Sequence, residues 1–241
     1  MRNVFCVFAA IALAVFICGC GMANMTNPTA NEFDVVIVGD SIYDLDAYIH
    51  TSLKKITGQS YKDYSRSGDT ISYIRDQYED AIGTNPNIRT IIMDAGGNDI
   101  LMDVYWSQAC QSSTMTVSSS CKSYLNGVLD DVEDLWADMD GDGIDAIIHT
   151  GYYYLKRGYL TVMLYGGTRL NGAVKYADEQ LAISAGISPA NCFFIDPRSS
   201  FSGHESSYII SDGIHPSSAG GSVMANLIYN VMVANGIYMG I

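Results

Sequence analysis

Four short apolar runs punctuate the chain, at Asp34–Val38, Thr90–Asp94, Asp145–Thr150 and Cys192–Ile195, and Ser60–Tyr64 reads as a further strand. Several are apolar at nearly every position, the pattern of a strand covered on both faces. Between them, apolar residues recur every three to four positions over Tyr43–Lys55, Ile71–Ile82, Tyr124–Ala137, Thr168–Ala185 and Ser217–Val233. That spacing predicts amphipathic helices. Strands that alternate with helices predict an α/β protein, with a parallel sheet between two layers of helices. In such sheets ligands bind beyond the carboxyl ends of the strands. The polar clusters fall there: Gly39-Asp40-Ser41 after the first strand, Ser65–Asp69 after the second and Ala95–Asp99 after the third.

The first twenty residues follow a different pattern. Arg2 precedes an apolar stretch, Val4–Ile17, that is short for a bilayer span and fits a secretory signal. Its end, Ile17-Cys18-Gly19-Cys20, resembles the lipobox of bacterial lipoproteins, which implies lipidation of Cys20 as the mature N-terminus. The expected organisation is a signal peptide over 1–19, a flexible tether over 20–32 and one domain over 33–241. The expected location is a lipid-anchored protein of the cell envelope, exported across the inner membrane. Ordinary cleavage, releasing a soluble periplasmic or extracellular protein, is the alternative.

Composition narrows the partners. The 241 residues carry 26 acids against 13 bases, a formal charge of −13. Removing Met1–Gly19 takes Arg2 and no acid, so the charge becomes −14. With no basic run, nucleic acid is not an expected partner, and contact with a membrane is expected only through the lipid on Cys20. Of the six cysteines, Cys110, Cys121 and Cys192 belong to the domain. Cys110 and Cys121 flank a Ser/Thr-rich stretch and are expected to form a disulfide in an oxidising compartment. Closing so short a loop contributes about 3 kcal/mol on the chain-entropy account. Cys192 opens an apolar run and is expected as a buried thiol.

Each polar cluster has a plain structural reading: a serine after a strand caps a helix, and Gly-Gly-Asn-Asp makes a turn. Near the C-terminus, Asp212 and His215 lie three residues apart before Pro216, which places them in the first turn of the last helix. Taken together the pieces supply acyl-transfer chemistry. Ser41 attacks, His215 takes its proton and Asp212 holds the imidazole tautomer. The Ser41 and Gly68 N–H groups and the Asn98 amide supply an oxyanion hole.

These blocks, Gly39-Asp40-Ser41, Gly68, Gly96-Gly97-Asn98-Asp99 and Asp212-Gly213-Ile214-His215, resemble the motifs of the SGNH (GDSL-type) hydrolases, in that family's order. The similarity spans roughly Phe33 to Val233. It implies a three-layer α/β/α sandwich around a flavodoxin-like, five-stranded parallel sheet. It also implies ester hydrolysis through an acyl-serine with no metal and no cofactor. Ile42 stands where the family more often has Leu, and Trp106–Lys122 reads as an inserted loop.

Asp138, Asp140 and Asp142 alternate before Gly143 as at the start of a calcium loop, but the twelfth position is His149, so a plain turn is expected. Tyr152 and Tyr153 follow the fourth strand and are candidate substrate-binding residues. All 17 tyrosines follow the signal, and no Leu- or Phe-rich helix suggests a lid over a fatty-acyl tunnel. The expected substrate is therefore a short acyl ester, acetyl above all, of a neutral glycan or small alcohol. Lysophospholipid deacylation and a catalytically inactive binding domain are the alternatives.

Overall fold

The computed structural model describes residues 34–188 and 190–237. The signal segment, the tether and Cys20 lie outside the described residues. Five parallel strands form one sheet: β1 (Val35–Val38), β2 (Lys62–Asp63), β3 (Thr90–Met93), β4 (Ala146–Thr150) and β5 (Cys192–Ile195), in the order β2-β1-β3-β4-β5. Every residue of β1, β3 and β4 is buried, as expected for strands sandwiched between helices. The strand order reverses between β1 and β3. That switch point opens a crevice at their carboxyl ends, where the first and third polar blocks emerge.

The eleven helices among the described residues are α1 (Ser41–Asp44), α2 (Tyr48–Thr57), α3 (Ile71–Thr84), α4 (Gly97–Leu101), α5 (Val104–Ala109), α6 (Ser119–Gly141), α7 (Tyr159–Tyr165), α8 (Asn171–Ile187), α9 (Arg198–Phe201), α10 (Glu205–Tyr208) and α11 (Ser218–Ala234). Helices α3, α6 and α8 cover one face of the sheet, packing Ile74, Trp136 and Leu181 against Val36, Val38 and Ile91. Helices α2 and α11 cover the other, with Leu53, Met224 and Ile228 against Val35, Ile37 and Ile92. Each such side chain contributes about 1.5–3 kcal/mol when fully buried. Buried His149 on β4 accepts from the Trp136 indole N–H at 3.1 Å. Burial lowers its pKa to about 3, so it is a neutral core residue.

Several expected boundaries shift. Strand β2 is two residues long, because only Lys62 and Asp63 pair with β1. The predicted insertion, Trp106–Lys122, is not one loop. Trp106 lies in α5 and Lys122 in α6, whose N-terminus is capped by the Ser118 hydroxyl accepting from Cys121 N–H at 3.2 Å. Cys110 and Cys121 are disulfide-bonded across the connection, 5.1 Å apart at Cα. Around them Leu125, Leu155, Leu170 and Ile214 form a third apolar cluster beside the carboxyl ends of the strands. Cys192 is buried at the start of β5 and takes no part in that disulfide. Of the alternating aspartates, Asp138 pairs with Arg75, and Asp142 accepts from the Tyr78 hydroxyl at 2.9 Å.

Candidate active site

The turn out of β1 shows why Gly-Asp-Ser follows a buried strand. A Cβ on Gly39 would lie 2.2 Å from the Asp94 Oδ1, and its φ is +151°, so only glycine fits. Gln77 clamps the same peptide, accepting from Gly39 N–H at 2.7 Å and donating to Gly39 C=O at 2.9 Å. Asp40 is the helix cap, since its carboxylate accepts from Ile42 N–H at 2.9 Å. That leaves the Ser41 hydroxyl free of capping duty. It points across the crevice to His215 Nε2, 2.8 Å away.

The His215 ring is fixed from its other side, where Nδ1 lies 2.6 Å from Asp212 Oδ2. Asp212 is itself held: its Oδ1 accepts from the backbone N–H of Ile214 at 2.8 Å and of His215 at 3.1 Å. These residues form a turn of their own ahead of α11, which starts at Ser218 with Ser217 as cap. They are therefore not the first turn of the helix, as the spacing before Pro216 predicts. Close packing of two glycines replaces the helix as their support. A Cβ on Gly158 would sit 2.2 Å from the Asp212 carbonyl carbon, and one on Gly213 would sit 2.4 Å from the Lys156 oxygen.

The expected oxyanion donors lie at the start of α1, in the turn after β2 and in the first turn of α4, and these segments are tied together. Gly68, at φ +90°, occupies the turn closed by Asp69 N–H donating to Arg66 C=O. Ser67 pins that turn to α1, donating to the Asp44 carboxylate from its N–H at 2.8 Å and its hydroxyl at 2.5 Å. Asn98 donates one amide hydrogen to Asp69 C=O at 3.0 Å, which leaves the second for a ligand. Asp99 completes the junction, accepting from Ile71 N–H at 3.0 Å at the start of α3.

Sequence reasoning passed over a second polar group, directly behind the nucleophile. Asp94, at the end of β3, accepts from Asp40 N–H at 2.8 Å, while its Oδ2 has no hydrogen-bond partner. Burial pushes the Asp94 pKa well above the usual carboxylate range, and the neighbouring Asp40 charge pushes it further. Burial also raises Asp40. Tyr152 donates its hydroxyl to Asp40 Oδ2 at 2.8 Å and accepts from Gly97 N–H at 3.2 Å, joining the first and third blocks. An acid at the end of a buried strand, just ahead of Gly-Gly-Asn-Asp, was the available signal. Tyr153 donates its hydroxyl to Ile214 C=O at 2.8 Å and stacks on Phe201. Both tyrosines border the crevice, but their hydroxyls serve the protein.

A narrow cavity of about 70 Å³ opens beside Ser41 and Asn98 and runs between α6 and α8. Its wall is mostly aliphatic, with Leu125, Leu129, Ala173, Ala177 and Leu181 prominent. The polar residues Asp40, Tyr152 and Asp178 also border it. Asp178 accepts from Tyr152 N–H at 3.2 Å and faces Arg198 at 3.5 Å. No group of three or more His, Cys, Asp or Glu side chains among the described residues is arranged to hold a metal ion.

No protein-family model matches the chain, and no curated protein matches it by sequence. Solved structures do. A GDSL-like lipase from Bacteroides thetaiotaomicron superposes with a TM-score of 0.62 at 15% identity, over 84% of this chain and 89% of the other. A member of the lipolytic G-D-S-L family from Veillonella parvula gives 0.60 at 17% identity, over 83% and 97%. A catalytic mutant of an acetylxylan esterase from Geobacillus stearothermophilus gives 0.56 at 15% identity, over 86% and 95%. These superpositions, together with the parallel sheet covered by helices on both faces, give this chain the α/β/α fold of the SGNH hydrolases.

Proposed function

We propose that this protein is a serine hydrolase of carboxylic esters. The observation that carries the reading is the unbroken chain from Ser41 Oγ through His215 to Asp212, at 2.8 and 2.6 Å. In this mechanism His215 Nε2 takes the Ser41 proton as Oγ attacks the ester carbonyl. The carbonyl oxygen gains negative charge and accepts from the Ser41 and Gly68 N–H groups and the Asn98 amide. The imidazolium, balanced by Asp212, returns the proton to the leaving alcohol, and an acyl-serine remains. Water, deprotonated by His215, then releases the acid and restores Ser41. A domain that only bound its ligand would have no use for this relay, which argues against the inactive alternative. The test is labelling by an organophosphonate. Ser41 is modified stoichiometrically, and Ser41→Ala removes both labelling and turnover of p-nitrophenyl esters, lowering kcat by at least about 10³-fold. Full turnover in Ser41→Ala would refute the reading.

A second reading, an acetyl esterase acting on a neutral glycan, is supported by the fold shared with the acetylxylan esterase. The commitment of the Tyr152 and Tyr153 hydroxyls to Asp40 and Ile214 weakens the case for a sugar-binding rim. For location, the proposal is a lipid tether at Cys20. Cys20→Ser should move the protein from the membrane to the soluble fraction, and unchanged membrane association would exclude that anchor.

A further inference from the structure

Ester hydrolysis by itself makes no use of the depth of the cavity beside Ser41. Helices α6 and α8 each lead into a parallel strand, so both run away from the catalytic edge, and each successive turn lies deeper. On α8, Ala173, Ala177 and Leu181 recur every four residues along the cavity wall. They span about 12 Å at the helical rise of about 1.5 Å per residue. On α6, Leu125 and Leu129 border the same cavity one turn apart. Near the mouth, Leu125 and Ala173 belong to the apolar cluster beside the disulfide. Deeper in, Leu129 and Leu181 belong to the main core and close the floor. The two alanines hold the gap open, because side chains of leucine size there would fill it. An acetyl group has no need of such a channel.

We propose that this cavity takes the acyl chain of the substrate and sets its length. The preferred ester then carries a straight acyl chain of about six to eight carbons, and the proposal rests on the serine-esterase reading. The size follows from the depth. An extended chain advances about 1.2 Å per bond, so about six to eight carbons fit within the roughly 12 Å spanned by Ala173, Ala177 and Leu181, and more than about ten do not. Lined as it is by Leu and Ala, the channel favours hydrocarbon over water, and each methylene buried raises kcat/KM about fourfold.

The test measures kcat/KM on p-nitrophenyl esters from acetate to dodecanoate, for the parent and two variants whose folding is checked by circular dichroism. In the parent, kcat/KM rises at least about 100-fold from acetate to the optimum and falls beyond about ten carbons. Ala177→Phe fills the channel and lowers the octanoate-to-acetate ratio at least about tenfold. Leu181→Ala opens the floor and moves the optimum at least two carbons longer, which keeps the test intact if the phenylalanine variant does not fold. Acetate as the best substrate, a flat profile, or folded variants with unmoved ratios and optimum would overturn the proposal while Ser41 labelling still upheld the esterase. Absence of both labelling and turnover on every ester would overturn the esterase reading, and the proposal with it.

Discussion

Two buried aspartates serve the site, Asp212 behind His215 and Asp94 behind Asp40, and they are handled differently. Asp212 receives two backbone N–H groups on Oδ1 and the His215 ring on Oδ2, so the groups around it are arranged to donate to a carboxylate. Asp94 accepts one backbone N–H on Oδ1, has no hydrogen-bond partner for Oδ2, and lies beside a second carboxyl, Asp40. Burial is nearly the same, at 2% and 0% exposure. What differs is the number of donors and whether a second carboxyl lies alongside. Donors aimed at both oxygens support a buried negative charge, whereas a half-satisfied carboxyl next to another acid is driven toward its neutral form. The same residue type thus serves as charge partner behind His215 and as a packed polar strut behind Asp40.

Replacing each aspartate by asparagine separates these roles most sharply. Asp212→Asn puts an amide against His215 Nδ1 and removes the charge that balances the imidazolium, so kcat should fall by about 10⁴. Asp94→Asn keeps the acceptor for Asp40 N–H and should leave kcat within about tenfold of the parent. Steady-state kinetics showing equal losses would erase the distinction.

Next in size is Tyr152→Phe, which takes a donor from Asp40 and an acceptor from Gly97 while leaving the ring in place. Two buried groups lose a partner, so denaturant titration should show a loss of about 1–3 kcal/mol. No loss would mean that Asp40 does not depend on Tyr152, and that the strut ends at Asp94.

The smallest effect is one of pH. Because the folded pKa of Asp94 is raised, its stabilising contribution is complete below about pH 4, the unfolded value, and is lost as pH rises through the folded value. Asparagine does not titrate. Asp94→Asn should therefore melt at a higher temperature than the parent near pH 7. That advantage should vanish below about pH 4. An advantage that persisted in acid would show that packing, rather than ionisation, distinguishes the two chains.

Some of this molecule was open to reading before any coordinates. Four of the five strand positions follow from apolar runs, and a parallel arrangement sends all their carboxyl ends to one edge. Ser41, Gly68 and Asn98, which follow the first three strands, are therefore expected at that one edge. Asp212 and His215 reach it because the turn before α11 returns to that edge. The Cys110–Cys121 bridge was legible for a similar reason, since a short Ser/Thr-rich span between two cysteines leaves few other partners. The short elements among the described residues, α1, α4, α5, α7, α9 and α10 with the 3₁₀ turn Leu45–Ala47, were not, because so few residues give no readable helical periodicity.

The sequence by itself determined the alternation of strand and helix and the chemistry gathered at the strand ends, because these depend on periodicity and on residue types a few positions apart. Only the tertiary structure decided that Asp40, and not Ser41, caps α1, and that Asp94 and Tyr152 stand behind the nucleophile. It alone placed Gln77 on Gly39 and opened an apolar channel between α6 and α8. The cap bond itself spans two residues, but the contacts that hold Gly39 and Asp40 join residues 38 to 112 positions apart. Their energies arise from desolvation and close packing, which exist only once the elements have come together.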